Sequence, residues 1–351
     1  MPHQPDPGPL ARRLRRRGLL GVAAGTAATA LLGTATTPAA AAGARGRGRP
    51  VLPPGRLGIQ LYTVRDQVQE IGFARLFERL ARHGYSEVEF AGYTQGTGDL
   101  SLPALRRLLR DNGLRGVGSH VAYHADGGDP DAYSFATSLE RVLDDAEALG
   151  LPAVGTPWAP NRYGDTVDAW KRAADDFHTY GAAARARSLM FYQHNHAEEF
   201  GFAEDRPDVR LYDLLLAETE PDLVHFEMDV YWAYVGQYRF SVRPDGTPAP
   251  FEPLDYVRAA PDRFPLFHVK DGEREDGTRD GYRMTDVGDG DLDYRHFIDT
   301  VGSLPRQRRR HHWLVERDDA PDPVANPAGS LSTARRSSRH LRSLRSRGDC
   351  S

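Results

Sequence analysis

From residue 57 onward the sequence alternates short β-rich runs with amphipathic helical stretches, and it does so eight times. The strand candidates are Gly58–Thr63, Glu87–Ala91, Gly116–Val121, Ala153–Trp158, Leu189–His196, Val224–Val230, Pro265–Asp271 and Trp313–Arg317. Between them, Phe73–His83, Leu102–Asp111, Tyr133–Leu149, Val167–Ala186 and Val209–Glu218 carry apolar residues at helical spacing. His83-Gly84, Asn112-Gly113 and Leu149-Gly150 put glycine where a helix closes on a left-handed residue. Eight βα units at roughly 30–47 residue spacing predict an α/β fold of the (β/α)8 TIM-barrel type, whose usual length is about 250 residues. A doubly wound sheet is the alternative. It usually has fewer strands and a glycine-rich turn after the first, whereas here that turn reads Tyr62-Thr63-Val64-Arg65-Asp66.

Charge divides the 351 residues in the same places. Residues 1–56 hold nine Arg and one Asp, residues 57–305 carry a net −18, and residues 306–351 carry +6. An acidic body does not suit a polyanion, so nucleic acid is not the expected partner. The basic start reads as an address. Arg12-Arg13 and Arg15-Arg16-Arg17 precede an apolar stretch running to about Leu32, and Pro38-Ala39-Ala40-Ala41-Ala42 offers small-residue cleavage sites. Arg16-Arg17-Gly18-Leu19-Leu20 resembles a twin-arginine signal, which routes proteins for export. The apolar stretch is rich in Ala, Gly and Thr, too weakly apolar for a stable membrane anchor. The expected organisation is an export signal over 1–42, a linker over 43–56 and the barrel over 57–347. The one cysteine, Cys350, removes an intrachain disulfide framework, a Cys-ligated zinc site and a core Cys–His nucleophile.

Strand parity picks out a set of polar residues. Alternate residues of a barrel strand face the lumen and the others face the helices. Ile59/Leu61, Val88/Phe90, Val117/Val121, Phe226/Met228, Phe267/Val269 and Trp313/Val315 form an apolar set on one parity. The other parity carries Gln60, Tyr62, Glu87, Glu89, His120, Trp158, His194, His196, Glu227, Asp229, His268, Lys270 and Glu316. Most sit at C-terminal strand ends, where barrel enzymes place their chemistry. Charged groups are costly in a closed lumen unless paired or metal-bound. Glu87, His225 and Glu227 lie deeper and are expected to be buried, hydrogen-bonded packing residues. His194 or His196, Asp229, His268 and Glu316 have the types for a divalent metal, and mixed imidazole and carboxylate donors favour Mn2+, Co2+ or Zn2+ over calcium. Such an ion, with an open position, holds two substrate oxygens and stabilises an enediolate.

The acidic run Asp286–Asp293 lacks the loop spacing and closing Glu of an EF-hand and reads as the turn into the seventh helix. Arg306–Arg310 and Arg335–Arg347 read as solvated basic faces, the second on a last helix. Trp158 and Trp232 are candidates for a sugar-stacking platform, with Tyr62 and Tyr123 as similar cases.

Several motifs together carry a resemblance. They are Gly58-Ile59-Gln60-Leu61-Tyr62-Thr63-Val64-Arg65-Asp66, Glu87-Val88-Glu89-Phe90-Ala91-Gly92-Tyr93, His194-Asn195-His196-Ala197-Glu198-Glu199-Phe200, Glu227-Met228-Asp229-Val230-Tyr231-Trp232, Phe267-His268-Val269-Lys270-Asp271, Val287-Gly288-Asp289-Gly290-Asp291-Leu292-Asp293 and Val315-Glu316-Arg317-Asp318. Over roughly residues 57–347 the chain resembles the sugar phosphate isomerase/epimerase family, the xylose isomerase-like TIM barrels. The resemblance implies a metal site at the barrel mouth. The family's epimerases take Glu, Asp, His and Glu from strands five to eight, and the two Glu also move protons. Asp229, His268 and Glu316 match the last three. At the first, His194-Asn195-His196 stands where the family reads Glu-Asn-His.

A metal-bound neutral imidazole accepts a proton less readily than a carboxylate. Glu316 is therefore the expected base, Glu199 and Glu89 are candidate second acids, and Lys270 is placed to neutralise an oxyanion. Glu89, His120, His196 and Trp232 are the expected substrate contacts. The expected activity is a metal-dependent sugar isomerase or epimerase working by proton transfer next to a carbonyl. A keto-sugar or inosose dehydratase, or a 3-keto-glycoside lyase, is the alternative on the same barrel. A non-catalytic carbohydrate-binding barrel is a third reading. An apurinic-site nuclease with three zinc ions fits neither the acidic body nor the number of assignable ligands. No phosphate-binding signature is present, so the expected partner is a neutral sugar or a keto-sugar.

Overall fold

The computed structural model describes residues 52, 55–92, 100–125, 132–305 and 311–320. The expected signal, nearly all of the linker, the arginines at 306–310 and the last helix over 335–347 lie outside the described residues. Among the described residues, β1 (Leu57–Gln60), β2 (Glu87–Phe90), β3 (Arg115–Ser119), β4 (Ala153–Thr156), β5 (Met190–His194), β6 (Val224–Asp229) and β7 (Leu266–Val269) come in turn. An antiparallel hairpin, β8 (Asp271–Arg274) with β9 (Tyr282–Thr285), follows, and then β10 (His312–Val315).

Apart from the hairpin, the strands are all parallel and hydrogen-bonded in the order β3-β2-β1-β10-β7-β6-β5-β4. A parallel bridge between His120 and Gly155, with the Val121 amide donating to the Gly155 carbonyl at 2.8 Å, links β3 to β4 at the remaining seam. The result is a nearly closed barrel of eight strands with helices between them. Parallel strands need long crossovers, and helices on the outer face supply them.

The helices follow their sequence signals closely. Leu102–Asp111 and Val167–Ala186 have the expected bounds, and the side chains of Ser101 and Thr166 cap them by accepting from the amides of Ala104 and Ala169. Leu149 ends its helix on Gly150, at φ 78°. Three boundaries differ. The first helix starts at Arg65, because a 3-10 turn over Leu61–Val64 replaces the end of the expected strand, and Gly72 at φ 71° breaks its regular winding. Gln60 starts that turn by accepting a hydrogen bond from the Tyr62 amide at 3.2 Å. The third and fifth helices begin two residues late, at Phe135 and Leu211.

Ile59, Val88, Phe90, Phe226, Met228, Phe267, Val269, Trp313 and Val315 are buried, as the parity reading expects. Phe267 and Trp313, on neighbouring strands, stack at 4.5 Å between ring centroids. Val117 departs from that reading. It clusters with Ala153, Met190, Tyr192, Leu266 and Leu314 instead of with the outer set. The cause is a register shift: Val88 pairs with Gly116 but Glu89 pairs with Gly118, so β3 holds one extra residue there. The cluster is an apolar plug in the lower lumen. Each fully buried side chain of this size contributes about 1.5–3 kcal/mol. Gly155 and Gly118 make room for the Tyr192 ring, which a Cβ at either position would strike.

Below the plug, Glu87 is a packing residue, as expected, paired with Arg115 at 2.8 Å and His312 at 2.9 Å. Asp286–Asp293 leads into the helix Tyr294–Ser303, and the Asp293 side chain caps it by accepting from the His296 amide. Amides of Gly288, Gly290 and Leu292 in that run donate to Asp271, which ties it to the hairpin. No helix among the described residues is long and apolar enough to cross a membrane.

Candidate functional site

Above the plug the lumen turns polar. Asp229 ends β6 and is also the N-cap of the helix Val230–Arg239. Its Oδ1 accepts from the Trp232 amide at 2.9 Å, which fixes the carboxylate and leaves Oδ2 for the lumen. His268 lies within β7, and Glu316 follows β10 directly. His268 Nδ1 is 2.7 Å from Glu316 Oε2 and 3.8 Å from Asp229 Oδ2. The three ligand atoms lie within 4.8 Å of one another. All are sealed from solvent, and none makes a well-directed hydrogen bond. Such groups are costly unless a further partner engages them.

The other face of His268 is anchored. Its Nε2 is 2.6 Å from Glu89 and 3.1 Å from Glu227. Glu89 also accepts from Gln60 at 2.8 Å and from the Tyr192 hydroxyl. This matches the usual support of a metal-binding histidine, in which one ring nitrogen donates to a carboxylate and the other is left free for the ion. Glu227 is buried and hydrogen-bonded, as expected, but its partners belong to the site. The hydrogen bond is with His120 Nε2 at 2.7 Å, and His194 Nδ1 at 3.3 Å and His268 Nε2 at 3.1 Å are close ionic neighbours. His120, His194, Glu227 and His268 form a second group whose ligand atoms converge within the same limit. His194 touches both groups, because its Nε2 is 4.0 Å from Asp229 Oδ2.

Electrostatics sort these buried charges. Burial pushes Glu89 up, and Glu227 adds to the push. Burial acts on Glu227 in the same sense, but His268, His120 and His194 hold it well below the ordinary carboxylate range. Burial opposes charge on His268, yet Glu227, Glu316 and Glu89 outweigh it and hold the imidazolium well above its ordinary pKa. His194 is pushed the other way, by burial and then by His268. Glu316 is held low by Lys270 and His268 against the effect of burial. Metal binding at His268 would require its neutral form, so an ion there takes the place of a proton.

Lys270, one residue past β7, is buried. Its Nζ lies 3.1 Å from Asp229, 3.0 Å from Glu316 and 3.1 Å from Asp318. Further out, Trp158 is 55% exposed and stacks on His196 at 5.6 Å with 24° between planes. Trp232 meets the same imidazole edge-on, also at 5.6 Å. Burial and then Lys270 lower the His196 pKa to about 4, so this ring is neutral. Trp232 packs on a buried cluster of Ala197, Tyr231 and Val235, as do Tyr282, Met284 and Leu292 from the β8–β9 hairpin and the loop after it. Tyr62 is 38% exposed under Arg65, whereas Tyr123 is a core residue bonded to Asp176.

The fold is a (β/α)8 barrel with a cluster of histidines and carboxylates at the C-terminal ends of its strands. The chain belongs to the xylose isomerase-like TIM barrel family, whose pattern matches residues 77–308. It is similar to a sugar phosphate isomerase/epimerase from Parabacteroides distasonis at 22% identity and a TM-score of 0.62, over 80% of this chain and 94% of that one. The probable 3-DHS dehydratase AsbF from Bacillus anthracis aligns at 12% identity and a TM-score of 0.57, over 79% and 97%. An IolI protein with a bound zinc atom aligns at 14% identity and a TM-score of 0.57, over 80% and 95%. The likeness is one of fold. No curated protein sequence matches this chain.

Of the residues expected from sequence, Asp229, His268 and Glu316 converge, with His194 and Lys270 in contact with that group. His120 and Glu89 lie among the residues supporting His268, and His196 and Trp232 lie at the mouth. Glu199 is not brought to the cluster. It sits in the 3-10 turn after β5, where its Oε2 accepts from the His196 amide at 2.9 Å and holds that loop. Tyr192, Asp318 and the site role of Glu227 were not foreseen. Tyr192 shares strand parity with His194, and that parity is the signal that could have found it.

Proposed function

We propose that this protein is an exported, divalent-metal-dependent isomerase or epimerase that acts on a sugar or keto-sugar by proton transfer next to a carbonyl. The observation that supports it best is the convergence of His268 Nδ1, Asp229 Oδ2 and Glu316 Oε2, three sealed atoms with no well-directed hydrogen bond. One imidazole and two carboxylates are a donor set suited to Mn2+, Co2+ or Zn2+. These three residues would hold the ion, with His194 beside them. When bound, it would polarise a substrate carbonyl and the neighbouring hydroxyl.

The remaining work falls to the chain itself. Glu316 is the general base. Of the buried site carboxylates it alone keeps some solvent access, while Glu89, Glu199, Glu227 and Asp229 have none. The Lys270 ammonium stabilises the oxyanion that forms as the proton leaves. Trp158 offers an exposed indole face to the apolar side of a sugar ring, and the Trp232 Nε1–H, which has no partner among the described residues, is a donor for a hydroxyl. The neutral His196 ring between the two indoles adds no charge at the mouth, which suits an uncharged substrate.

A second reading, a keto-sugar dehydratase or 3-keto-glycoside lyase, draws on one observation. His194 occupies the β5 position, Glu199 is held away from the cluster and Glu89 is engaged by His268, Gln60 and Tyr192, so no free second carboxylate base stands beside Glu316 among the described residues. Elimination beside a carbonyl begins with one base, whereas epimerisation through two bases needs another. Metal content of purified protein, with turnover of a panel of ketoses and 3-keto-glycosides under Mn2+, Co2+ or Zn2+, tests the proposal. Metal-dependent turnover is the expected result. Tight sugar binding with no transition metal and no turnover would sink it in favour of a carbohydrate-binding barrel.

A further inference from the structure

The two oxygens that converge with His268, Asp229 Oδ2 and Glu316 Oε2, are the same two that Lys270 Nζ approaches, at 3.1 and 3.0 Å. Neither takes a well-directed hydrogen bond from the ammonium. Its directed hydrogen bond goes to the Asp318 carboxylate at 3.5 Å, with the other Asp318 oxygen at 3.1 Å. Lys270 is thus shared between the ligand pair on one side and Asp318 on the other.

Asp318 is stationed by its surroundings. Arg65 donates to its backbone carbonyl at 3.0 Å. The preceding residue, Arg317, is tied through its amide to Thr63 at 3.2 Å and through its guanidinium to Asp286 at 2.6 Å. Asp318 is also 30% exposed at the side chain, whereas Asp229 is sealed. It is an acceptor on the solvent side of the same lysine.

We propose that Lys270 is a built-in competitor for a metal at Asp229 and Glu316, and that Asp318 is a positioning residue that draws the ammonium off them. The Lys270–Asp318 pair then sets metal affinity together with the ligands. A monovalent and a divalent cation cannot both lie against the same two oxygens without strong repulsion, which the low-dielectric lumen enhances. The inference rests on the metal reading proposed above, gives Lys270 a second role and adds Asp318, which that reading leaves unassigned.

The test is Mn2+ titration of the full chain, by competition with a chelator, in the wild type, Lys270→Met and Asp318→Asn. Lys270→Met removes the competitor and is expected to bind Mn2+ at least about tenfold more tightly. Asp318→Asn leaves Lys270 leaning on the ligands and is expected to bind at least about threefold more weakly. A purely structural role for either residue would weaken binding in both variants or in neither. Melting curves without added metal check the folding of each, and Asp318→Asn, at the more exposed position, decides the matter if Lys270→Met does not fold. Wild-type affinity in Asp318→Asn, or no gain in a folded Lys270→Met, would overturn the proposal while the metal reading stands. A wild type that binds none of Mn2+, Co2+ and Zn2+ would overturn both.

Discussion

His268 serves two pairs of partners with one ring. Its Nε2 meets Glu89 and Glu227, and its Nδ1 meets Glu316 and Asp229. An imidazole can divide its edges in this way only if the lower carboxylates are themselves fixed, and Gln60, Tyr192 and His120 fix them. Deleting one member of such a buried network would cost about 3–5 kcal/mol, because it leaves a charge unpaired. Glu199 belongs to a different balance. Burial, more than any neighbour, pushes its pKa from 4.5 up to about 8, although the Glu199 and His196 amides favour its charged form. The folded state therefore holds a proton on Glu199 that the unfolded chain has released between those two values. Its contribution to stability is complete below about 4.5 and is lost as the pH rises towards 8, with a slope of up to about 1.4 kcal/mol per pH unit. Glu199→Gln should flatten the fall in melting temperature across that window, and an unchanged pH profile would contradict this account. In the sequence, Glu199 and Glu316 look alike as candidate acids. Only three dimensions show that one pins a loop amide and the other faces the lumen. Glu227 and Tyr192 were hard to read for the opposite reason: a buried acid and a buried phenol are most often packing groups, and here both reach the support of His268.

At the scale of elements, the strands were legible because the alternation of strand and helix repeats eight times, with parity and helix stops marking several of the units. Polar residues of seven expected strands fell on one parity, and the C-terminal ends of those strands carry the cluster and its supports. What could not be read was local geometry. The extra residue in β3 that turns Val117 to the plug follows from pairing with β2, which no property of Val117 announces. The 3-10 turn at Leu61–Val64 depends on a side-chain cap from Gln60, a residue that looked like part of the strand. The export signal proposed over residues 1–42 rests on sequence alone. If Arg16-Arg17 is a twin-arginine signal, changing both residues to Lys should leave the full-length precursor inside cells that export the wild type, as judged by fractionation. Equal export of the two forms would remove the twin-arginine reading.

For the whole molecule, the barrel places charge where it is costly and then offsets it. The net −18 of residues 57–305 is partly gathered above an apolar plug, among His120, His194, His268 and Lys270. Residues within this lumen hold several protons and an ammonium in place, and the central claim is that they do so to hold a metal and move a proton beside a carbonyl. That step precedes isomerisation, epimerisation and elimination alike, so it can be measured before the net reaction is known. The direct measurement is deuterium incorporation from D2O into the carbon next to the carbonyl of a bound keto-sugar, followed by NMR with and without Mn2+, for the wild type and Glu316→Gln. The account predicts metal-dependent incorporation by the wild type and a loss of at least about a hundredfold in Glu316→Gln, the size expected for removing a general base. Equal incorporation by the two proteins, both folded and with Mn2+ bound, would contradict it.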